Sequence, residues 1–329
     1  MNTKTQLIKQ LENSRDTYIS GATLAKELSI SRNAVWKTVE NLREEGYDIS
    51  AITNKGYRLI NSGSTLSESG VKAHLKNENV FQIDVRKSLT STNTTLRELA
   101  ANGAPEGYVL VAEEQTSGKG RMGRTFHSPA GHGVYFSLLL RPGASTADAT
   151  LITTAAAVAT ARAIEKTVGI HVGIKWVNDL FVNGKKVCGI LTEATYGIES
   201  GQIESAVLGI GVNITEPEQG YPEDVREIAA AVLKSSSSIN GERCRLIAAA
   251  LDYFWEYYQN LSARKFLDEY KSRSILLDQD IYVLSNDTKI PARVLGIDDD
   301  CRLVVRYENG QIDALNSGEV STKRVRSEE

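Results

Sequence analysis

Glycines and cations alternate in the stretch "TSGKGRMGRTF", from Thr116 to Phe126. Such a segment is costly to order and its charges repel one another, so a bound anion is the natural partner. Glycine lets backbone amides approach anionic oxygens closely, and the interspersed Lys and Arg neutralise their charge. The spacing matches neither the GxxxxGK[ST] phosphate loop nor the GxGxxG dinucleotide loop. The sequence therefore predicts a phosphate-binding loop of another kind, with a disordered basic surface tether as the alternative.

Further polar residues lie where strands are expected to end. "IKWVND" places Lys175 at the end of an apolar strand, where a lysine that points into a cleft can hold a carboxylate and a phosphate together. "LTSTN" supplies hydroxyls and an amide just before a helix, and Gln115 precedes the basic loop. The alternatives are a solvated lysine and a helix-capping serine.

Apolar strand-like runs alternate with helical runs between about residues 80 and 270, which indicates an α/β domain. The predicted strands are "FQIDVRK", "YVLVAEE", "GVYFSLLL", "HVGIKW", "KVCGILTE" and "IESAVLGIGVNI", and the predicted helices are "NTTLRELAAN" and "ADATLITTAAAVATARAIEKT". The "VNGK" turn from Val182 to Lys185 predicts a hairpin. A mixed sheet is therefore expected rather than a purely parallel one.

The first 61 residues predict two capped helices followed by a hairpin. Ser20 begins a helix that runs to Leu28, and Ser31 begins a second that runs to about Glu45. This order is typical of a winged helix-turn-helix, whose second helix enters the DNA major groove. The DNA-binding candidates are Ser31, Arg32, Asn33, Trp36, Lys37, Lys55 and Arg58. The alternative is a helical protein-interaction module, and a lone helical tryptophan is more often part of a core.

Composition and segment boundaries complete the outline. The 329 residues include 41% hydrophobic residues and carry a net charge of -3, as in an ordinary soluble multidomain protein. The three cysteines have no paired spacing, and no long apolar segment is present, so we expect a soluble cytoplasmic protein. A polar linker near residues 62–66 and short strands after residue 272 predict domains at 1–62, 66–272 and 273–326.

Taken in order, "STN", Gln115 with "GKGRMGR", "KWVND", "GILTE" and "GIGVNI" resemble the biotin-protein ligases, and with the winged helix in front, the bifunctional ligase/repressors. The resemblance covers nearly the whole chain. It implies an α+β multidomain fold: a winged helix-turn-helix, a mixed-sheet ligase domain similar to class II synthetases, and an SH3-like β-barrel. It also implies that biotin and ATP, with Mg²⁺, form biotinyl-5'-adenylate, and that biotin passes to a lysine of a biotin carboxyl carrier domain.

The same resemblance implies roles for individual residues. The catalytic residues are Lys175 and Arg121. The biotin-binding set is Ser91, Thr92, Asn93, Gln115, Lys119, Gly120, Arg121 and Lys175, and the nucleotide-binding set is Gly118, Lys119, Gly120, Arg121, Arg124, Phe126, Asn178 and Asn213. The basic loop becomes a lid over the adenylate, and the "NSGEV" turn is a candidate to approach the nucleotide or the carrier domain. The identity of any metal-binding residue stays unknown.

Three positions depart from the family pattern, and two other functions remain open. Lys119 replaces the first arginine of GRGR and loses its bidentate geometry, Phe126 replaces a tryptophan, and Val177 replaces the proline of KWPND.

The partners expected are operator DNA, a carrier domain and a second copy of the chain in a ligand-promoted homodimer. The alternatives are a non-catalytic biotin-sensing regulator and a lipoate ligase.

Overall fold

The N-terminal segment of the computed structural model contains three helices and a two-stranded hairpin. The structure describes residues 2–15, 17–63, 65–142, 148–197, 202–233, 239–285, 288–316 and 318–322. The elements are α1 (Thr3–Asn13), α2 (Gly21–Glu27), α3 (Arg32–Glu44), β1 (Asp48–Ile52) and β2 (Gly56–Asn61). The winged helix-turn-helix prediction is confirmed, and α1, which the sequence analysis did not include, packs Leu7 and Leu11 into the same core.

The predicted helix caps set the angles of the helix-turn-helix. The Ser20 hydroxyl accepts a hydrogen bond from the Thr23 amide at 3.0 Å, and the Ser31 hydroxyl accepts one from the Ala34 amide at 3.1 Å. Each cap satisfies a donor that the first helical turn leaves without a partner. Gly46, with φ of +99°, follows the end of α3, in a conformation that residues with a side chain rarely adopt.

A seven-stranded mixed sheet forms the centre of the molecule. Its elements are α4 (Glu68–His74), β3 (Gln82–Leu89), α5 (Thr92–Ala101), β4 (Tyr108–Gln115), β5 (Gly133–Leu140), α6 (Asp148–Val168), β6 (Gly173–Lys175), β7 (Asp179–Val182), β8 (Lys185–Tyr196), β9 (Ile203–Asn213), α7 (Glu242–Tyr258) and α8 (Leu267–Ser272). The strand order is β3-β4-β5-β9-β8-β7-β6, and only β3 and β4 are parallel. The mixed-sheet prediction is therefore confirmed.

Helices cover both faces of this sheet. On one face α6 and α7 pack together over the main core, and on the other α5 packs against β4, β5 and β9. Successive side chains of β4 point to opposite faces of the sheet, so this strand contributes to both apolar layers. Val109 and Val111 belong to the main core, whereas Leu110 faces α5. The site-bearing strand ends are thus fixed between two apolar layers.

The C-terminal segment is a five-stranded antiparallel sheet. Its strands are β10 (Asp280–Ser285), β11 (Thr288–Ile297), β12 (Leu303–Tyr307), β13 (Ile312–Leu315) and β14 (Glu319–Thr322), in the order β13-β12-β11-β10-β14. The β-rich domain is confirmed, and closure into an SH3-like barrel stays a prediction. The predicted boundary at residue 272 falls at the end of α8.

The segment after the wing is held in place by hydrogen bonds rather than extended as a loose tether. The Ser62 amide donates to Asn240 Oδ1 at 3.0 Å, and the Gly241 amide donates to the Gly63 carbonyl at 2.9 Å. Helix α4 packs against both α1 and α7. The N-terminal segment is therefore docked on the central domain through α1, α4 and residues 62–63. Within the described ranges, no helix is long and apolar enough to cross a membrane.

Candidate functional site

A large cavity opens where the central sheet, the basic loop and the C-terminal sheet meet. It contains about 1370 Å³ of empty space, counting the part open to solvent. The predicted site residues on its wall are Ser91, Thr92, Asn93, Gln115, Lys119, Gly120, Arg121, Arg124, Phe126, Lys175, Asn178 and Asn213. Residues from distant parts of the sequence therefore meet at one place.

Gly118 is the predicted site residue that does not line this cavity. It is buried at the base of the loop, where an added Cβ would overlap the Phe126 carbonyl oxygen and lie 2.8 Å from Ser128 Oγ. The Phe126 amide donates to the Gly118 carbonyl at 2.8 Å. Gly118 is needed for close backbone packing, so its predicted contact with a nucleotide is not supported by its position.

A chain of neutral hydrogen-bonding groups forms one end of the cavity. The amide and the hydroxyl of Thr92 donate to Gln115 Oε1 at 2.8 and 3.1 Å, and Gln115 Nε2 donates to Ser128 Oγ at 2.9 Å. Ser91 Oγ also caps α5, so the capping alternative is correct for this residue without excluding a ligand contact. Ser128, which sequence reasoning missed, is buried and holds the side chain of Gln115.

Asn93 follows Thr92 at the start of α5, and its side-chain amide is already hydrogen-bonded to other groups of the protein. Its Nδ2 donates to Glu193 Oε2 at 2.8 Å and to the Leu191 carbonyl at 3.3 Å, while its Oδ1 accepts from Ser137 Oγ at 2.6 Å. The amide lies directly over Gly209, where any Cβ would overlap it. Its geometry is that of a residue which positions the floor of the cavity.

The basic loop is a short closed hairpin in this structure. Bridges join Gln115 with Ser128 and Lys119 with Thr125, and the Gly120 amide donates to the Arg124 carbonyl at 2.7 Å. The interpretation of this stretch as a disordered tether is therefore wrong. At the tip, Met122 is 77% exposed, and it lines the cavity together with Lys119, Arg121 and Arg124.

Arg121 connects the hairpin with two other parts of the molecule. Its guanidinium donates to Asn178 Oδ1 at 3.1 Å and to the Gly318 carbonyl at 3.3 Å. Gly318 and Val320 of the "NSGEV" turn also line the cavity, and the approach of this turn to the nucleotide or the carrier domain stays a prediction. The C-terminal sheet therefore supplies part of the wall of a site that is otherwise built on the central sheet.

Phe126 packs against a strip of the sheet that has no side chains. A Cβ at Gly211 would lie 2.6 Å from the ring of Phe126, and one at Gly189 would lie 3.2 Å from it. The edge of the ring contacts Tyr135, with centroids 6.4 Å apart. Glycines at these two positions leave room for the Phe126 ring to lie against the sheet, and larger residues would displace it.

Lys175 is presented by a strand end that is fixed on both sides. Trp176 Nε1 donates to the Cys301 carbonyl at 2.8 Å, and the buried Tyr270 hydroxyl donates to the Val177 carbonyl at 3.0 Å. Asn178 Nδ2 donates to the Ile190 carbonyl at 2.7 Å. Lys175 is half-buried and lines the cavity, and its ammonium lies 5.9 Å from the centroid of the Phe181 ring.

Several cavity residues carried no recognisable sequence signal. Lys186 forms a 2.7 Å ion pair with Asp179, and residues 221–229 form a wall that is tied to β8 through Lys186. The residues of this wall that line the cavity are Tyr221, Val225, Ile228 and Ala229, none of which was predicted from the sequence. Their place follows from long-range pairing, which a single sequence does not reveal. Among the described residues, no group of three His, Cys, Asp or Glu side chains is arranged to hold a metal ion.

The DNA-binding candidates lie on a separate surface formed by α3 and the wing. Val35, Val39 and Leu42 face the core, which leaves Arg32, Asn33 and Lys37 exposed, together with Trp36, which is 51% exposed. The expectation of a core tryptophan is therefore wrong, because position 36 lies outside the buried stripe of the helix.

The two wing candidates differ in their surroundings. Lys55 is exposed in the turn that joins β1 and β2. Arg58 lies on β2, opposite Ser50, and its guanidinium packs 4.8 Å from the centroid of the Tyr18 ring. Lys55 is the wing cation that extends into solvent.

Comparisons with known proteins agree along most of the chain. Family models match at residues 3–58 (HTH domain), 85–213 (biotin/lipoate A/B protein ligase family) and 276–323 (biotin protein ligase C-terminal domain). The bifunctional ligase/repressor BirA of Bacillus subtilis is 37% identical over 314 residues, which cover 92% of this chain and 94% of that protein. BirA of Escherichia coli is 26% identical, with 92% of each chain covered.

A solved structure shares the fold over about three quarters of the chain. Biotin protein ligase from Aquifex aeolicus, in complex with biotin and ATP, has a TM-score of 0.60 and 24% sequence identity. The match covers 74% of this chain and 99% of that one.

Proposed function

The chain belongs to the family of bifunctional biotin ligase/repressors, and we propose how its cavity and its N-terminal surface perform the two roles. It is an ATP-dependent biotin-protein ligase and a DNA-binding repressor of biotin genes, with biotin and ATP as substrates and Mg²⁺ accompanying ATP. The observation that carries the catalytic proposal is the convergence of Thr92, Gln115, Arg121 and Lys175 on one cavity.

Biotin binds at the neutral end of the cavity. Its ureido group requires both donors and acceptors, and a network of Ser91, Thr92 and Gln115 provides hydroxyl and amide groups without charge. Asn93 holds the floor beneath it through Ser137 and Glu193. The carboxylate of biotin then extends towards the cations of the hairpin and the end of β6.

In the first reaction, a carboxylate oxygen of biotin attacks the α-phosphorus of ATP. The bond from that phosphorus to the bridging oxygen breaks, pyrophosphate leaves, and biotinyl-5'-adenylate remains. Lys175 stabilises the negative charge that concentrates between carboxylate and α-phosphate, since a fixed cation costs no reorganisation when charge develops. Asn178 positions Arg121 for the same region by accepting its hydrogen bond.

The nucleotide occupies the other end of the cavity. The adenine base enters the slot between Phe126 and the wall formed by Val225 and Ile228. Asn213 and Arg124 line the same end, and Lys119 supplies a point charge for phosphate. In the second reaction the amine of the carrier lysine attacks the carbonyl carbon of the adenylate, AMP leaves, and the amine loses a proton as the amide forms. The hairpin shields the mixed anhydride from water until then.

Substitution of Lys175 tests the catalytic assignment. Lys175→Ala should slow biotin-dependent pyrophosphate release by about 10²-fold or more, because one preorganised electrostatic group is removed. The matched control is Lys185→Ala, which removes an exposed lysine from the β7–β8 turn and should leave the rate unchanged. Near-normal adenylation by Lys175→Ala would refute the role of Lys175, and absence of pyrophosphate release from the wild type would refute the ligase reaction itself.

The repressor role is assigned to the exposed face of α3 together with Lys55. A slightly basic single module gains little affinity from phosphate neutralisation, so two modules on one palindromic site are required. The second copy docks through the central sheet, where β3 is an eight-residue edge strand that pairs on one side only with β4 among the described strands. The adenylate favours this homodimer, and the dimer in turn favours operator binding.

A mobility-shift assay with sedimentation tests this coupling. Operator affinity and dimerisation should both rise when biotin and ATP are added. Lys37→Ala should weaken operator binding without changing adenylation, whereas the control Lys26→Ala, at an exposed site on α2, should change neither. Operator binding that is equally tight without biotin and ATP would rule out the coupling.

A further inference from the structure

Tyr221 lines the cavity and has a buried hydroxyl group. The residue is 6% exposed, and within the described ranges its hydroxyl makes no hydrogen bond. Other buried tyrosine hydroxyls have partners at 3.0–3.1 Å: that of Tyr270 donates to the Val177 carbonyl, that of Tyr135 donates to the Pro129 carbonyl, and that of Tyr47 bonds to Ser67. Tyr257 also lacks such a partner, but it lies on α7 and does not line the cavity.

A phenol hydroxyl in this state destabilises the free protein. Burial removes it from water, and no protein group among those described replaces the lost hydrogen bond. Phenylalanine would fill the same space without that cost. Because Tyr221 lines the cavity, a ligand bound there can supply the missing partner of its hydroxyl.

The backbone of Tyr221 is held in place before any ligand arrives. Arg226 Nε donates to the Tyr221 carbonyl at 3.4 Å, and the Arg226 amide donates to the Pro222 carbonyl at 2.9 Å. Further along the segment, the Lys186 amide donates to the Ile228 carbonyl at 2.7 Å. Both ends of the turn are thereby anchored, so the tyrosine is presented by a preorganised wall.

The position of Tyr221 places it at the nucleotide end of the cavity. It belongs to the segment that also contributes Val225 and Ile228, and it adjoins a second hollow that it shares with His127, the residue after Phe126. The charged groups Arg121 and Lys175 define the phosphate end, and the Phe126 slot accepts the base. The ribose connects these two, and its hydroxyls both donate and accept hydrogen bonds, as a phenol does.

We propose that the Tyr221 hydroxyl binds a ribose hydroxyl of ATP and of the biotinyl-adenylate, and so selects ribonucleotides. This inference rests on the proposed ligase function. Burial, with the nearby charge of Glu216, raises the pKa of Tyr221 to about 12, so the hydroxyl is a neutral donor and acceptor throughout the physiological range. The residue contributes to nucleotide recognition and takes no part in proton transfer.

The test compares Tyr221→Phe with wild type in two measurements whose signs differ. The free variant should melt at the same or a higher temperature than wild type, because a buried hydroxyl without a protein partner has been removed. Its KM for ATP in pyrophosphate release should rise by about three- to tenfold, the loss expected for one neutral hydrogen bond. Its affinity for biotin without nucleotide should not change, because Thr92 and Gln115 lie at the other end.

Deoxynucleotides identify the group that is bound. Wild type should use 2'-deoxyATP or 3'-deoxyATP less well than ATP by a similar factor, and Tyr221→Phe should lose that discrimination. The control Tyr47→Phe removes a buried hydroxyl that is bonded to Ser67, so it should lower the melting temperature. It should leave the KM for ATP and the KM for each deoxynucleotide unaltered.

Two results would overturn the inference. One is an unchanged KM for ATP in Tyr221→Phe, and the other is a raised KM for ATP with discrimination against both deoxynucleotides intact. If the wild type released no pyrophosphate with biotin and ATP, the proposed ligase function would fail instead, and the two failures are therefore distinguishable.

Discussion

Arg15 joins three parts of the chain where the DNA-binding segment meets the central domain. Its Nε and Nη2 donate to the two carboxylate oxygens of Glu12 at 2.6 and 2.8 Å, and Nη2 also donates to Ser62 Oγ at 2.7 Å. Its Nη1 donates to Asn240 Oδ1 at 3.3 Å. We predict that Arg15→Met weakens the docking of the N-terminal segment on the central domain, while α1 itself remains helical.

The burial of the pair sets the expected magnitude. The side chains of Arg15 and Glu12 are 27% and 12% exposed, so the pair is neither a surface pair nor a fully buried one. Removing one partner of a buried pair costs about 3–5 kcal/mol, and surface pairs contribute about 0–1 kcal/mol. An intermediate loss of about 1–3 kcal/mol follows. For a domain as small as the N-terminal segment (residues 2–61), each kcal/mol lowers the melting temperature by about 4–8 °C.

Calorimetry, followed domain by domain, measures this loss. The control is Lys72→Met on the neighbouring helix α4, which removes an exposed i,i+4 pair with Glu68 and should cost only a few tenths of a kcal/mol. The double variant Arg15→Met/Glu12→Leu should recover part of the lost stability, because no uncompensated carboxylate stays behind. If Arg15→Met costs no more than Lys72→Met, or if the double variant is less stable than the single one, the docking role is wrong.

Three further predictions follow from the site and the junction. Arg121→Gly should release biotinyl-adenylate from the hairpin, measured as biotinylation of bystander lysines; retention equal to wild type would contradict the shielding role. Gly211→Ala should raise the KM for ATP with little effect on biotin binding, because a Cβ there would lie 2.6 Å from the Phe126 ring; an unchanged KM would show that the slot does not take the base. Burial lowers the pKa of His74, with Arg245, Arg15 and Lys166 repelling its proton and Glu12 attracting it. As the pH falls, the unfolded chain therefore binds this proton before the folded protein does, and the free energy of unfolding in urea should decrease below a pH of about 6.5. His74→Gln should flatten this dependence on pH. The same slope in wild type and variant would refute the role of His74.

Local signals predicted much of the fold because they act within a few residues. The serine caps at positions 20 and 31, the turn from Val182 to Lys185 and the alternating strands each specify their own element. Helix α1 has an equally local signal, since Asn2 caps it and Leu7, Ile8 and Leu11 form one apolar stripe, but it is not among the predicted helices. Its omission hid the main contact between the two domains.

Long-range pairing placed the residues that the sequence did not predict. The wall from Tyr221 to Ala229 contains no motif, and it reaches the cavity through hydrogen bonds of Ile228 and Ala230 with Lys186. Gly318 reaches the cavity because the C-terminal sheet lies beside the hairpin, where its carbonyl meets Arg121. Neither neighbourhood can be read from local periodicity, because both depend on how distant segments pack.

A polar residue within a motif can serve the ligand or the protein, and the use of its hydrogen-bonding capacity distinguishes the two. The Asn93 amide already donates to Glu193 and Leu191 and accepts from Ser137, so little of its capacity remains for biotin. Tyr221 is the opposite case, with no motif and an unused hydroxyl in the part of the chain that the structure describes. Sequence order therefore locates the site, whereas the hydrogen bonds made inside the protein distinguish Asn93, whose amide is used, from Tyr221, whose hydroxyl has no partner among the described residues. On that basis Asn93→Ser should disturb the cavity floor and lower the stability of the protein, whereas Tyr221→Phe should weaken nucleotide binding without lowering stability.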